Sequence, residues 1–316
     1  MNICVVGAGA IGGWIAGKLA LGGSDVSVVA RGETLRLIDA EGLRVDEGGH
    51  VHCVAVAASD DPSSFGKQEL VILAVKAPSL PQIAPLLEPL VGTETVILPM
   101  LNGVPWWFTG EPLWSVDPQC ATADALPFDQ VIGCVVHASC RRPAPNQIQV
   151  VHADKLIIGE PAGGASERVE RIRTLVENAG IRCEVSENVR RPIWYKLWGN
   201  ATINPLSALT RSTADKLLTD QTIRGLMAEA MDELATIGAA IDCPIAESAE
   251  DRMAVTARLG AFKSSMLQDV EAGRPIELEA LLGAPREIAR AAGIPTPQLD
   301  RIYATTRLMA ENLGLL

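Results

Sequence analysis

Three polar side chains recur at a spacing of four residues in an otherwise apolar stretch in the second half of the chain. Lys196, Asn200 and Asn204 lie within IWYKLWGNATINPLSAL, which begins at Ile193. On an α-helix, residues four apart lie almost above one another, so these groups would form one stripe. Burying an ammonium and two carboxamides is unfavourable unless partners satisfy them. The spacing therefore predicts either a ligand-binding stripe, in which Lys196 can donate a proton, or a salt bridge to another domain.

A second group of polar residues lies further along, in FKSSMLQDVEAGRPIELEALLGAP. Ser264 and Ser265 precede a Gly-Arg-Pro break, and Glu277 follows it. The pattern predicts the end of one helix and the start of another, so the serines and the carboxylate can face one cleft. On periodicity alone, Glu277 has the commoner role of an acidic residue in the first turn of a helix. His137 and His152, which lie in strand-like segments without a carboxylate nearby in sequence, are interpreted as structural.

A short glycine-rich turn follows the first apolar segment of the chain. Gly7, Gly9 and Gly12 come directly after NICVV, which is typical of a buried strand, and they precede an alanine-rich helical segment. The first glycine permits a tight turn, the second lets the backbone approach a pyrophosphate, and the third lets helix pack on strand. The free N–H groups and the positive dipole of the helix N-terminus then suit phosphate. The turn therefore predicts a dinucleotide-binding site.

The residues at the ends of the predicted strands indicate which dinucleotide binds. DVSVVAR ends in Arg31 and has no carboxylate at its tip. NAD sites usually place an Asp or Glu there, whereas a planar guanidinium suits a 2′-phosphate. We therefore expect NADP, although Glu33 lies near enough to serve the ribose instead. Lys76 and Asn102 follow later strands, at the edge where α/β sheets bind ligands, and each is either a ligand contact or an ordinary surface or turn residue.

Composition excludes several classes of partner. The 316-residue chain is 48% hydrophobic and has a net charge of −11 at pH 7. It has no run of Lys or Arg, so neither nucleic acid nor an anionic membrane surface is an expected partner. No segment approaches the length of a membrane span. The seven cysteines are scattered and form no CxxC pair, so neither disulfides nor a metal is expected. These features predict a globular, cytoplasmic protein.

The pattern of secondary structure changes near residue 187. Before it, strand-like and helical segments alternate, which predicts a parallel sheet covered on both faces. VIGCVVHAS, QIQVVH and KLIIG predict an antiparallel extension of that sheet. After it, helices are predicted at Arg190–Thr210, Thr213–Ile241, Glu247–Ala272, Glu277–Ala292 and Pro297–Leu313. The predicted fold class is α/β, with a Rossmann-type dinucleotide-binding domain at residues 1–187 and an all-helical C-terminal domain at residues 188–316.

Several motifs together resemble those of the ketopantoate reductase (2-dehydropantoate 2-reductase) family. They are GAGAIG from Gly7, VK from Val75, NG from Asn102, KLWGNATINPLSAL from Lys196, and SSMLQD with RPIELEALLGAP from Ser264. They occur in the family's order and approximate spacing along essentially the whole chain. The resemblance implies a Rossmann-type domain that binds NADPH, a helical domain that closes the cleft, and reduction of ketopantoate to D-pantoate for coenzyme A synthesis.

The resemblance also implies roles for individual residues. Lys196 corresponds to the general acid, and Glu277 corresponds to the carboxylate that engages the substrate. The implied polar groups of the substrate pocket are Asn102, Asn200, Asn204 and Ser265. The implied cofactor contacts are Gly7, Ala8, Gly9, Ala10, Ile11, Gly12, Arg31, Lys76 and Asn102. A homodimer through the helical domain is expected from the resemblance and from the long helical segments.

The chain departs from the family pattern at the edge of the expected pocket. Glu279, Leu282 and Ser79 stand where the family often has Asp, Asn and Gln. Trp106 and Trp107, in NGVPWWF, are expected beside the cleft, where two bulky rings would reshape the pocket.

The expected function is therefore NADPH-dependent reduction of ketopantoate, and two alternatives stay open. One is the same fold acting on a different branched or aromatic 2-oxo acid, with NADPH or NADH. The other is a non-catalytic protein that senses NADPH, against which the pair of Lys196 and Glu277 argues, because a sensor needs no proton donor.

Overall fold

The structure, a computed structural model, describes residues 1–316 and consists of two compact units. The first comprises Met1–Leu101 and Cys120–Val189, and the second comprises Asn102–Gln119 and Arg190–Leu316. The helical unit is thus assembled from two separate stretches of chain. This differs from the sequence prediction, which counted residues 102–119 with the first domain.

Apolar burial explains why residues 102–119 join the second unit. Trp106, Trp107 and Phe108 are each at most 2% exposed, and Phe108 stacks on Trp194 with ring centroids 5.9 Å apart. The Val104 N–H donates to the Ala280 carbonyl oxygen at 2.8 Å. These contacts join residues that are far apart in sequence, so residue order alone did not show which core this apolar segment enters.

The first unit contains ten strands and five α-helices. The strands are β1 (Asn2–Val6), β2 (Asp25–Val29), β3 (Leu43–Glu47), β4 (His50–Val54), β5 (Ala57–Ser59), β6 (Leu70–Leu73), β7 (Val96–Pro99), β8 (Gly133–Ala144), β9 (Gln147–Gly159) and β10 (Arg182–Val185). The helices are α1 (Ala10–Leu21), α2 (Gly32–Glu41), α3 (Leu80–Ile83), α4 (Ala121–Ala125) and α5 (Glu167–Asn178). Short 3₁₀ turns include Pro62–Phe65, Ala77–Ser79, Ala84–Leu90 and Phe128–Gln130.

The first sheet has the strand order β5-β2-β1-β6-β7, and all of its pairs are parallel. Four of its strands are short apolar runs that contain Val or Ile, and β6 and β7 are buried along their whole length, which is typical of a sheet covered on both faces. The chain leaves β1 toward β2 and returns to β6 on the other side of β1. Open α/β sheets bind ligands at such a switch point, beyond the carboxyl ends of the strands.

A second sheet replaces the predicted extension of the first. Its strand order is β10-β9-β3-β4, and β8 pairs antiparallel with β9. The extension was wrong because helix α1 packs against this sheet at unusually close range. A Cβ on Gly13 would lie 2.6 Å from Ile148, and a Cβ on Gly17 would lie 2.4 Å from Val45. The two glycines therefore let β3 and β9 cover α1, and the strands form a layer of their own.

The second unit contains seven α-helices and a π-helical turn. The helices are α6 (Arg190–Thr210), α7 (Ala214–Thr219), α8 (Gln221–Ala240), α9 (Ala249–Ala257), α10 (Ser265–Glu271), α11 (Ala284–Ala291) and α12 (Pro297–Leu313), and the π turn is Glu279–Gly283. Both the predicted Rossmann-type α/β fold and the helical C-terminal part are confirmed.

Capping side chains divide two of the predicted long helices. Thr213–Ile241 breaks at Asp220, whose side chain accepts hydrogen bonds from the Thr222 and Ile223 N–H groups and so starts α8. Glu247–Ala272 breaks before Ser264, whose hydroxyl oxygen accepts from the Leu267 N–H at the start of α10. None of the helices combines the length and apolar character that are needed to cross a bilayer.

Candidate active site

The glycine-rich turn lines a cavity of about 310 Å³ in the first unit. Gly7 has φ +99°, and a Cβ there would lie 2.9 Å from Val75 Cγ1. A Cβ on Gly12 would lie 1.8 Å from the Gly7 carbonyl oxygen, so the third glycine lets α1 pack on the turn. A Cβ on Gly9 would meet nothing closer than 3.9 Å, so the space before it is open. These are the environments that a dinucleotide-binding turn requires.

Helix α1 begins beside this cavity without a capping side chain. Gly9 is its N-cap, no side chain caps the first turn, and no acidic residue lies in that turn. The N–H groups at the start of the helix, from Ala10 and Ile11 onward, therefore suit the oxygen atoms of a pyrophosphate. Ala8 also lines the cavity. The residues present fit a dinucleotide on steric and electrostatic grounds.

Arg31 lines the same cavity and is exposed. It is the N-cap of α2, so its guanidinium adds to the positive end of the helix. Glu33, the alternative ribose ligand, is ion-paired instead: its two carboxylate oxygens lie 2.6 and 2.8 Å from the Arg36 guanidinium. These hydrogen bonds lower the pKa of Glu33 and direct its carboxylate along the helix toward Arg36.

Lys76 lies in the first unit, after β6, as the N-cap of the Ala77–Ser79 turn. It is half-buried and does not line the cavity, although its neighbour Val75 does. Asn102, the other residue predicted at the end of a strand, lies in the second unit with the helical residues.

The polar stripe of α6 exists because two tryptophans anchor the other face of the helix. Trp194 and Trp198 are buried, and their indole N–H groups donate to the carbonyl oxygens of Leu234 (3.0 Å) and Met231 (2.8 Å) in α8. A buried indole N–H that has an acceptor fixes the rotation of its helix. With that face fixed, the side chains of Lys196, Asn200 and Asn204 share another face.

Lys196, Asn102 and Glu277 form a continuous polar chain within the second unit. The Lys196 ammonium donates to Asn102 Oδ1 at 3.1 Å. The amide nitrogen of Asn102 lies 3.4 Å from Glu277 Oε2 and donates to it. All three side chains are half-buried. One carboxamide therefore links a cation and an anion, and its two ends are oriented by opposite charges.

Gly103 makes this chain sterically possible. It has φ +79°, and a Cβ there would lie 2.4 Å from the Ala280 carbonyl oxygen. The backbone beside Asn102 therefore lies directly against the segment that carries Glu277. The Asn-Gly pair does more than form a turn, because its glycine permits contact between two distant stretches of chain.

The remaining predicted substrate residues lie along the same helix. Asn204 is 5% exposed, and its amide nitrogen lies 3.5 Å from the hydroxyl oxygen of Ser265, which begins α10. Asn200, one turn from both Lys196 and Asn204, is half-buried, and its carboxamide has no hydrogen bond to the protein. A half-buried carboxamide without a protein partner suits a ligand.

The two tryptophans that were expected beside the pocket lie in the core. Trp106 is 1% exposed and Trp107 is 2% exposed, and Leu282 is completely buried. Trp107 packs on Phe108, with ring centroids 6.2 Å apart. The expectation that these side chains reshape the pocket is therefore wrong. Their position close to Asn102 in the sequence suggested the pocket. Burial of their large apolar surface in the core is favourable and decides their position instead.

Glu279 has a structural partner. It accepts a hydrogen bond from the Tyr303 hydroxyl at 2.8 Å, and burial together with this carboxylate raises the pKa of Tyr303. A Cβ on Gly283 would lie 2.0 Å from Glu279 Oε2, so the π turn closes over the carboxylate. The replacement of the family's aspartate is thus accommodated within the helical unit.

Sequence reasoning missed Arg142 and Thr34, both of which line the cavity of the glycine-rich turn. Thr34 had a detectable signal, because it lies three residues after Arg31. Arg142 had none, because it belongs to a hairpin that is far away in sequence. No group of three or more His, Cys, Asp or Glu side chains is arranged to hold a metal ion, and all seven cysteines are free.

Comparisons with known proteins identify the family of the chain. The family model described as ketopantoate reductase PanE/ApbA matches residues 3–163, and the model of its C-terminal part matches residues 188–310. The 2-dehydropantoate 2-reductase of Mesorhizobium japonicum is 39% identical over 323 residues, which cover 99% of each chain.

Solved structures share the fold over the full length. A Ralstonia solanacearum protein that is assigned to the ketopantoate reductases superposes with a TM-score of 0.97 at 45% identity, covering 100% of this chain and 99% of its own. D-mandelate dehydrogenase with NADH and anilino(oxo)acetate has a TM-score of 0.87 at 19% identity, with both chains fully covered, and shows the fold alone. The chain therefore belongs to the ketopantoate reductase PanE/ApbA family, as an oxidoreductase that uses a nicotinamide dinucleotide.

Proposed function

We propose that this protein reduces 2-dehydropantoate (ketopantoate) to D-pantoate with NADPH, and that Lys196 is the proton donor. The observation that carries the proposal is the hydrogen-bonded chain from Lys196 through Asn102 to Glu277. The name of the M. japonicum relative, 2-dehydropantoate 2-reductase, supports the choice of substrate. A bound reduced nicotinamide supplies the hydride for the ketone carbon.

Lys196 supplies the proton for the ketone oxygen. Its ammonium has three protons, and one of them is directed at Asn102 Oδ1. Asn102 is held in that orientation because its amide nitrogen donates to Glu277. The carboxamide therefore helps to fix the position of the ammonium. A positioned ammonium both donates the proton and stabilises the negative charge that develops on oxygen.

The other polar groups suit the ends of the substrate. Ketopantoate carries a carboxylate and a hydroxyl on either side of its ketone. The Asn200 carboxamide and the Asn204–Ser265 pair offer N–H and O–H donors to the carboxylate. Glu277 accepts a hydrogen bond from the substrate hydroxyl. Holding the substrate at several points removes rotational freedom before the reaction, which is a large part of catalysis.

The preference for NADPH rests on the charges around the cavity of the glycine-rich turn. Arg31 lines the cavity, and the carboxylate of Glu33 is paired with Arg36. Arg31 therefore offers a guanidinium to a 2′-phosphate. We propose that Gly7 to Gly12, Arg31 and Lys76 contact the cofactor. Residues 1–187, without 102–119, would form the cofactor domain, and residues 188–316 with 102–119 would form the substrate domain.

The alternative of a bulkier 2-oxo acid loses its main support, because Trp106, Trp107 and Leu282 are buried in the core. A non-catalytic sensor would not need the ordered Lys196–Asn102–Glu277 chain.

The decisive experiment is NADPH oxidation by the purified protein with a panel of 2-oxo acids, followed at the absorbance of the reduced nicotinamide. We expect ketopantoate to have the highest kcat/KM, with pyruvate and phenylpyruvate well below it. A higher kcat/KM for an aromatic acid would refute the proposed substrate. NADPH binding without turnover of any 2-oxo acid would leave the sensor as the function.

A further inference from the structure

A second arginine reaches the cavity of the glycine-rich turn from a distant part of the chain. Arg142 lines this cavity together with Arg31 and Thr34. Its NH1 group donates to the Ala8 carbonyl oxygen and to Thr34 Oγ1, each at 3.3 Å. We propose that Arg142 and Arg31 together bind the 2′-phosphate of NADPH. This inference rests on the proposed function, because it assumes that the cavity takes the adenosine end of NADPH.

A break in strand register directs Arg142 into the cavity. In the β8–β9 hairpin, Arg141 pairs with Gln149 and Ala144 pairs with Gln147. Two residues of β8, Arg142 and Pro143, therefore lie opposite a single residue of β9. Such a bulge takes a residue out of the ladder and redirects its side chain. The neighbouring Arg141 stays in the ladder and does not line the cavity.

The turn of the hairpin is anchored, which fixes the position of the bulge. Asn146 is 1% exposed, and its amide nitrogen donates to the Gly42 carbonyl oxygen at 3.0 Å. The backbone carbonyl oxygen of Asn146 accepts a hydrogen bond from the Arg44 N–H at 2.9 Å. Gly42 connects α2 to β3, and Arg44 lies in β3. The bulge is therefore held relative to α2, whose N-terminus carries Arg31.

The contacts of Arg142 place its guanidinium on the ribose side of the cavity. Thr34 lies in the first turn of α2. Ala8 lies before α1, which begins at Ala10. In dinucleotide-binding folds the pyrophosphate lies at the N-terminus of the first helix, and the ribose hydroxyls lie at the end of the second strand. Arg142 therefore lies where the 2′-phosphate of NADP is expected.

The charges around the cavity also favour a phosphate. Arg31 and Arg142 are the only cations that line it, and Asp60 is the only carboxylate. Neither arginine forms an ion pair with the protein. The two acceptors of Arg142 are neutral oxygens. A guanidinium that exchanges neutral acceptors for a phosphate gains a charge-assisted hydrogen bond, which is worth about ten- to hundred-fold in affinity.

The test compares two ligands that differ only in the 2′-phosphate: adenosine 2′,5′-bisphosphate and adenosine 5′-monophosphate. Their dissociation constants are measured by calorimetry with the full-length wild type and with Arg142→Ala, Arg31→Ala, the double variant and Arg141→Ala as the matched control. We expect Arg142→Ala to weaken the bisphosphate about ten- to hundred-fold and to leave the monophosphate within about two-fold. Arg141→Ala should match the wild type for both ligands.

The result separates this inference from the function on which it rests. If the wild type does not prefer the bisphosphate, the proposed preference for NADPH fails and this inference fails with it. If the wild type prefers it and Arg142→Ala loses nothing, or weakens both ligands equally, only the role of Arg142 is overturned. An equal loss would mean that Arg142 contacts the shared 5′-phosphate. Melting curves of the variants verify that each is folded.

Discussion

At the scale of residues, the arrangement around Asn102 is the most informative feature of the helical unit. Its two ends contact Lys196 and Glu277, so one carboxamide sets the position of a proton donor and of a carboxylate. Asn200 differs, because it has no hydrogen bond to the protein. The chain of Lys196, Asn102 and Glu277 is organised for proton transfer, whereas Asn200 is available to bind substrate. Measurements of kcat and KM separate these two roles.

The substitution Lys196→Ala tests the proton donor. We expect kcat to fall by a factor on the order of 10²–10⁴, which is the usual contribution of a positioned acid. The affinity for NADPH should be unchanged. The helix should persist because alanine is the best helix former and the tryptophan anchors of α6 are intact. Only the ammonium form can donate, so the wild-type rate should decrease at alkaline pH and that decrease should be absent in the variant.

The matched control is Asn200→Ala on the same face of the helix. It should raise KM for ketopantoate more than it lowers kcat. If Lys196→Ala instead melts early and turns over at nearly the wild-type rate, the lysine has a structural role in an ion pair.

At the scale of elements, the close contact between Gly103 and the π turn holds the catalytic groups together. Gly103→Ala should lower both stability and kcat, because the new Cβ would lie 2.4 Å from the Ala280 carbonyl oxygen. One of the two stretches of backbone in this contact carries Asn102 and the other carries Glu277. Pushing the two stretches apart therefore moves one side chain relative to the other. Overpacking of this kind costs roughly 1–3 kcal/mol. Chemical denaturation and steady-state kinetics measure the two effects.

Gly110→Ala is the control for that substitution. Gly110 has the same φ of +79°, but a Cβ there would meet nothing within 4 Å. It therefore measures the cost of the left-handed backbone alone, which is about 1–2 kcal/mol for a residue with a Cβ. Equal destabilisation in both variants, with normal kcat, would show that the contact with Ala280 is unimportant.

A second element-scale prediction concerns α5 in the first unit. Arg168 binds the Glu160 carboxylate and also donates to the carbonyl oxygens of Asp129 and Val131. The hydrogen bonds from Arg168 and then from Ser166 hold the pKa of Glu160 below its ordinary value of 4.5, against the opposing effect of burial. Because the pKa is lower in the folded state, this carboxylate stabilises the fold above about pH 4.5 and loses that contribution as the pH falls through the lowered value.

We therefore expect Glu160→Gln to lose roughly 1–3 kcal/mol of unfolding free energy at pH 7 and to be less sensitive to acid than the wild type. The control is Glu170→Gln, which removes an exposed carboxylate paired with Arg173 and should change stability by less than about 1 kcal/mol. Urea unfolding at pH 7 and pH 4 measures all three proteins. An unchanged difference between wild type and Glu160→Gln at the two pH values would contradict the linkage.

At the scale of the whole molecule, cofactor binding should stabilise the fold by mass action. At a concentration one hundred times its dissociation constant, a ligand contributes about 2.7 kcal/mol. At equal concentrations we expect NADPH to raise the melting temperature more than NADH does, both in the wild type and in Lys196→Ala. Equal shifts with the two cofactors would contradict the preference for NADPH. A homodimer through the helical unit stays a prediction, which light scattering tests.

The sequence predicted those parts of the molecule that depend on local pattern. The glycine spacing of residues 7–12, the stripe on Arg190–Thr210 and the fold class needed only neighbouring residues. The partner of Lys196 was not predicted as Asn102, because that contact depends on how residues 102–119 pack. The second sheet was missed because it depends on two glycines of α1 that face Val45 and Ile148. Arg142 was missed because its direction is set by a bulge, which leaves no motif.

The origin of the helical unit from two stretches of chain limits how the molecule can be divided. A gene fragment that encodes residues 190–316 alone would lack Asn102, and it would also lack the aromatic residues that fill its core around Trp194. A fragment ending near residue 187 would carry Trp106, Trp107 and Phe108 without the helices that bury them, and we expect it to aggregate. The unit of exchange in recombination or domain grafting is therefore the whole chain, and separate recovery of the helical half requires residues 102–119 to be supplied as a fused or added peptide.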